Sequence, residues 1–467
     1  MKRSFKKLVL SAAAAAALGG IAMPAYAINW IKLQGTEPAD SAPRAKVWGF
    51  IQAQYQIDSS DACKYPPCTG QVIPPDMIGP NLTSQSAFNV NRARIGVRGE
   101  GFPLDSSINY FILAEFGNNA ITQPGNAFAK ISDASITVNR IPGARIRVGL
   151  FKTPGAEEAL QGIPLFPYIN FTEVTNQLLL ERLPNPNGAD NQNLFAPAHG
   201  AVPGENMNGF KNSVAAFRDT GIQVFDWFRT GSWEHTYALM VGNGNGLNFS
   251  DNDNHKDTYA YWSSEKLFGA GKGPFREGVK FFVWGQWGKR ELDTTADGVY
   301  NPKTHDRRRS GLGVSYQKMP FRFTAEYMKG KGMIFLGPDK PSFDQNGTSA
   351  PGADGADAKA HGWYVEGGYY IPGTNWELDL RYDQYNRLTN GSAAPVGPVA
   401  GRSFESEWKT TTVGVNYHFN KTTRATLDYA TRDVKTPGFP SPGPGPNPNN
   451  LMSGVGNRVS VQLTHIF

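Results

Sequence analysis

The sequence predicts an all-β protein, a closed antiparallel transmembrane β-barrel of about sixteen strands with short periplasmic turns and long extracellular loops. Three observations lead there. Apolar and polar residues alternate along segments of about 10 to 13 residues, longer than soluble strands and near the length that crosses a bilayer at a tilt. Aromatic residues gather at segment ends, as at Trp363, Tyr369, Tyr370, Trp376, Tyr385, Tyr417 and Phe419, where interfacial girdles belong. The connections alternate between short and long.

Composition narrows the alternatives. The 467 residues are 40% hydrophobic and only 18% charged, below the charge of an ordinary soluble domain. Yet mean hydropathy is −0.41, and past the N-terminus no run of about 18 uncharged apolar residues occurs, which excludes a bundle of membrane helices. With 52 Gly and 33 Pro, roughly one residue in five breaks helices, as many strands and turns require.

At the N-terminus, Lys2, Arg3, Lys6 and Lys7 precede the apolar run Leu8 to Ala22, and Ala25-Tyr26-Ala27 supplies the small residues of a cleavage site. Residues 1–27 therefore read as a secretory signal peptide. Losing its four basic residues leaves 42 Lys and Arg against 40 Asp and Glu, so the formal charge of +6 falls to +2 and nucleic acid is not an expected partner. Residues 28–44 are too few for a plug domain and are expected to form a periplasmic or lumenal tail, with the barrel over 45–467. Cys63 and Cys68, four residues apart in an exported chain, are expected to close a small loop as a disulfide.

Alternation places the strands at 46–57, 87–100, 106–117, 129–140, 145–152, 214–228, 233–243, 257–268, 277–290, 306–318, 321–331, 361–371, 375–388, 405–419, 422–433 and 456–467. In the first, Val47, Gly49, Ile51, Ala53, Tyr55 and Ile57 share one face and Gln52, Gln54 and Gln56 the other. The last repeats this, with Val459, Val461 and Leu463 opposite Arg458, Ser460 and Gln462. It ends on Phe467, which resembles the terminal signal of outer-membrane barrels, although His465 replaces the usual aromatic two places earlier. Short connections fall at 101–105, 141–144, 230–232, 319–320, 372–374 and 420–421; long ones at 58–86, 153–213, 332–360, 388–404 and 434–455. Both termini then lie on the periplasmic side, and sixteen strands enclose enough space for water.

Several segments in order resemble the phosphate-selective porin O and P family. Gly149-Leu150-Phe151-Lys152-Thr153-Pro154, followed by Glu157 and Leu160, is similar to its G-x-F-K-x-P segment. Arg92-Ala93-Arg94-Ile95-Gly96-Val97-Arg98-Gly99 resembles an early basic strand, and Asp133-Ala134-Ser135-Ile136 the strand that follows. Asp219 to Val224, Asn243-Gly244, Trp363 to Tyr369 and Leu380 to Asp383 are similar to later landmarks. The resemblance implies an outer-membrane porin, a homotrimer, whose third loop, here 153–213, folds into the pore and which passes small hydrophilic solutes or anions such as phosphate.

With Ala93, Ile95 and Val97 toward lipid, Arg92, Arg94 and Arg98 are expected in the lumen; likewise Arg145 and Arg147, with Ile146, Val148 and Leu150 outward. These form a basic ladder able to bind phosphate-like anions, and Lys152 stands at the mouth of the third loop. The opposing reading is of ordinary solvated lumen residues paired with carboxylates. The third loop itself is acidic: Glu157, Glu158, Glu173, Glu181, Asp190 and Glu205 stand against Arg182 and Lys211. An acidic constriction is expected to repel phosphate and to leave at most a modest anion preference.

The alternative classes are an outer-membrane barrel enzyme and a structural or adhesive barrel. His199, His255 and His305 fall in predicted loops and His361 and His418 at strand ends, without an evident Ser or Asp partner, so no catalysis is expected. Asp251-Asn252-Asp253-Asn254 lacks the glycine and terminal glutamate of a calcium loop and reads as solvated loop. No cofactor signature is present.

Overall fold

The computed structural model describes residues 30–34, 36, 43–61, 85–101, 105–119, 129–180, 217–247, 251, 253–268, 276–292, 303–334, 357–389, 405–437, 449 and 454–467. Sixteen strands follow in order: β1 (Lys46–Asp58), β2 (Ser86–Glu100), β3 (Ile108–Glu115), β4 (Lys130–Val138), β5 (Arg145–Lys152), β6 (Arg218–Thr230), β7 (Trp233–Gly242) and β8 (Asp257–Leu267). They continue with β9 (Gly278–Leu292), β10 (Lys303–Lys318), β11 (Phe321–Lys331), β12 (Lys359–Tyr370), β13 (Trp376–Arg387), β14 (Ser406–His418), β15 (Thr423–Lys435) and β16 (Arg458–Ile466). Each pairs antiparallel with its neighbours in sequence, and β1 closes on β16 from Phe50 opposite Ile466 to Asp58 opposite Arg458. Closure leaves no unpaired edge, the condition for strands to sit in hydrocarbon.

The alternation that predicts the strands becomes two faces of one wall. Outward lie Val47, Ile95, Ile112, Ile136, Ile222, Leu239, Leu380 and Leu463, all exposed, while Gln52, Gln54, Gln56, Ser460 and Gln462 are buried inward. At the short-turn end, aromatic pairs gird the barrel, the exposed Phe321 and Tyr369 with ring centroids 5.1 Å apart and the exposed Trp376 4.7 Å from the half-buried Tyr417. Tyr385, expected in a girdle, instead faces inward and is fully buried. His305, expected in a loop, lies inside β10, which begins at Lys303. Cys63 and Cys68 lie outside the described residues.

Two β-bulges break the period of two, and both serve the lumen. Between β1 and β2, Gln52 opposes Arg92 but Ala53 opposes Val90, so Asn91 is extra and both Asn91 and Arg92 are buried. Between β3 and β4, Leu113 opposes Asp133 but Ala114 opposes Ile131, and Ser132 and Asp133 both turn in. In β5 the break falls at Gly149, whose φ of 127° suits glycine alone. A Cβ there would meet the carbonyl oxygen of Ala134 at 2.2 Å. Past it Leu150, expected outward, is buried, as are Phe151 and Lys152, where the chain leaves the wall for the lumen. Gly149→Ala is expected to destabilise the barrel by about 2 kcal/mol or more, measured as a lower temperature for loss of the folded band in heat-modified electrophoresis.

Candidate pore constriction

From Thr153 the chain turns into the barrel as a loop described to Leu180, with short helical turns at Glu157–Leu160, Ile163–Leu165 and Thr175–Leu179. Its apolar side chains seat it. Ile163, Phe166 and Tyr168 cluster with Phe50 of β1, and Val174 and Leu178 lie where Gly362 and Gly330 leave the wall without side chains. A Cβ at either glycine would come within 2.7 Å of these residues.

Its acidic residues meet partners from the far wall. Lys280 of β9 donates to Glu157 at 2.5 Å, and Arg381 of β13 reaches Glu158 at 3.3 Å. Glu158 also accepts from the amide and hydroxyl of Thr172, tying the loop to itself. Wall carboxylates take the loop's amides: Asp428 that of Ile169 at 2.7 Å and Asp383 that of Glu173 at 2.9 Å. Arg424 and Asn416 donate to the carbonyls of Phe166 and Pro167. The Arg381 guanidinium lies 4.3 Å from the Tyr168 ring centroid, and burial first, then the Glu366 charge, raises the Tyr168 hydroxyl well above its ordinary pKa. The acidic constriction expected from sequence is therefore corrected at Glu157 and Glu158, whose charges are paired, while Glu173 accepts from Gln177 at 3.2 Å. Glu181 and Arg182 lie outside the described residues.

The N-terminal segment also packs among inward-facing groups. Trp30–Leu33 forms one helical turn, and Trp30 meets Trp48 and Phe111 at 6.4 and 5.9 Å between centroids. Lys32 pairs with Glu234 of β7; burial lowers its pKa and the Glu234 charge opposes that shift. Gln34 donates to Asp133 at 2.8 Å, and Arg147 donates to the carbonyls of Ile31 and Gln34. Arg147 is thus a tether for this segment. Arg147→Gln is expected to raise single-channel conductance while moving the reversal potential little, because the guanidinium holds chain in the lumen; planar-bilayer recording reads both.

Of the predicted ladder, Arg92, Arg94 and Lys152 come together and the rest do not. Around a cavity of about 20 Å³, the size of one water, stand Arg92, Arg94, Lys152 and the unanticipated Arg218, with Asn119 and Phe171. Arg92 donates to Gln52 at 2.9 Å and Lys152 to the carbonyls of Ala159 and Gln161 at 2.6 and 3.0 Å. Arg94 pairs with Glu115 at 2.6 Å and Arg218 with Asp133 at 3.0 Å. Four cations thus face two carboxylates. Arg98 lies over Phe111, and Arg145 pairs with Asp226 over the Trp227 ring, both away from the cavity. Arg218 follows Phe217, whose φ of 57° ends the loop and starts β6, and nothing periodic in the sequence signals it.

The model of one protein family, described as phosphate-selective porin O and P, matches residues 235–438. Over that span, a little under half of the chain, the sequence matches this porin family. The match runs from β7 to the end of β15 and includes the landmarks at Asn243-Gly244, Trp363 to Tyr369 and Leu380 to Asp383. The inward loop and the basic cavity precede it. The family match and the closed sixteen-strand barrel are those of an outer-membrane porin. Among solved structures, the chain is similar to an anion-selective porin from Comamonas acidovorans at 12% identity, over 91% of this chain and 100% of the other, with a TM-score of 0.48. It is similar also to the outer membrane channel DcaP of Acinetobacter baumannii at 12% identity, over 93% and 100%, with a TM-score of 0.47. A loop-deletion form of OmpT, an outer membrane protein of Vibrio cholerae, matches at 10% identity over 92% and 100%, with a TM-score of 0.47. No curated protein matches the sequence.

Proposed function

We propose that this porin passes small hydrophilic solutes with a modest preference for anions, phosphate among them, and that it works as a homotrimer without catalytic activity. One observation carries the anion preference: Arg92, Arg94, Lys152 and Arg218 converge where the inward loop leaves the wall, with two carboxylates among them. Guanidinium groups offer paired donors to a phosphate-like oxyanion, and Lys152 adds a point charge. Pairing of Glu157 and Glu158 with Lys280 and Arg381 supports it further, since the loop then carries less free negative charge into the neck. Residual excess is small, so selectivity is graded rather than absolute.

Reversal potential in a salt gradient across a planar bilayer tests this reading: the sign for anions is expected, and clear cation preference overturns it. Liposome swelling with phosphates, sugars, dicarboxylates and amino acids then ranks the solutes. A mass of three copies for the detergent-extracted protein is expected, and a monomer would remove the trimer from the proposal.

A further inference from the structure

On the outside of the barrel, at the long-loop end, lies a second cavity of about 320 Å³ lined by His255, Lys256, Trp287, Lys289, Asp306 and Arg308. Register explains its shape. Lys331, Arg308, Trp287 and Thr258 oppose one another across β11, β10, β9 and β8, forming a single outward row. Asp306 and Lys289 form the next row toward the loops, with Lys256 just beyond the start of β8. Glycine at 285 lets the Trp287 ring lie back along its own strand, since a Cβ there would fall 2.3 Å from the ring. The aromatic ring then underlies a rim of cations.

These cations are exposed, with side-chain accessibilities of 47% for Lys256 and 55% for Arg308. Carboxylates stand among them: Asp306 is engaged by Lys331 at 2.9 Å and Arg308 at 3.4 Å, Lys256 pairs with Asp251, and Glu291 lies 3.8 Å from His255. Lys289 is exposed and has no ion-pair partner among the described residues. On the same rim the outward residues of β1, β2, β3, β6 and β7 are apolar, Ile57, Phe88, Phe116, Ile222 and Val241 on or beside them, while β12, β14 and β15 carry Lys359, Lys409 and Lys435, the last two beside Glu407 and Asp433. Across β8 to β11 the rim cations Lys256, Lys289, Arg308 and Lys331 gather around the exposed Trp287 ring, and three of them line the cavity with it.

We infer that this cavity binds the phosphate-bearing headgroup of a lipid in the outer leaflet, with Lys256, Lys289 and Arg308 on the phosphate and Trp287 against the apolar part of the lipid. The inference rests on the outer-membrane placement and is independent of solute selectivity. Trp287 fits an interfacial occupant, since its ring is exposed on the outer face with Arg308 in its own row, while Lys289 and Lys256 stand nearer the loops.

The test uses the full-length barrel in neutral detergent, with bis-phosphorylated lipid A and its dephosphorylated form as probes, counted by native mass spectrometry. The parent is expected to retain bis-phosphorylated lipid, and K256Q/K289Q/R308Q to retain it at least about tenfold more weakly. The parent should hold the dephosphorylated lipid as weakly as that variant holds the phosphorylated one. A K318Q/K421Q variant, altered at the short-turn end, should match the parent. Equal retention by the triple variant, or equal retention of the dephosphorylated lipid, overturns the inference. Complete displacement by millimolar inorganic phosphate overturns the lipid assignment in favour of a free-anion site. Loss of subunits from the assembly in the triple variant, without loss of lipid, would make this face a contact between copies instead.

Discussion

Replacing Arg92 and Lys152 together by glutamine is expected to shift the permeability ratio about tenfold toward cations, read from the reversal potential in a salt gradient. The magnitude follows from Coulomb's law. A unit charge some 6 Å from a permeating ion contributes about 1–3 kcal/mol at effective dielectric constants of roughly 20 to 80, and part of it is lost to screening. Removing two such charges while keeping ~1.4 kcal/mol of their effect gives that factor. These two residues are the useful pair because of what they touch. Arg92 donates to the neutral Gln52 and Lys152 to two carbonyls, so glutamine preserves much of the hydrogen bonding. Arg94 and Arg218 are paired with Glu115 and Asp133, both fully buried, and neutralising either would strand a buried carboxylate and confuse selectivity with folding. An unchanged reversal potential, with conductance intact, would mean the cavity is off the ion path.

The same residues mark how far the sequence can be read. A strict period of two places β5 at 145–152 and β11 at 321–331, and the structure has them there, because lipid outside and water inside leave little freedom in register. The period also turns Arg92 and Arg94 inward correctly. It cannot show the bulges at Asn91 and Ser132, since an extra residue leaves no compositional trace. Nor does it show position around the barrel. Lys280 and Arg381 reach Glu157 and Glu158 across 123 and 223 residues of chain, and only closure of the barrel brings those walls face to face. Counting charges along the third loop gives its acidity and misses its neutralisation for that reason. Arg147 is misread similarly: its inward direction is legible, but the carbonyls it meets belong to Ile31 and Gln34, whose short segment has no period of its own.

Arg381→Met is expected to release part of the inward loop from the far wall and raise single-channel conductance, with a cost of about 3–5 kcal/mol in the anchored state. Methionine keeps much of the volume but leaves Glu158, which is fully buried, without its guanidinium. It also removes the cation from above the Tyr168 ring and from beside Asp383. A charge without a partner in that place favours any rearrangement that reaches water, and the lumen is the nearest water. Lys280→Met should do less, because Lys280 and Glu157 retain 13% and 9% side-chain exposure and solvent takes up part of the loss. The double variant E158Q/R381M separates charge from packing: glutamine can still accept from the Thr172 amide and carries nothing to strand. Its conductance is expected to return most of the way to the parent's. If R381M conducts like the parent, the loop is held by its apolar seats at Gly330 and Gly362; if the double variant stays as open as the single, the anchor is the contact of Arg381 with Tyr168 and Asp383 rather than its pairing with Glu158.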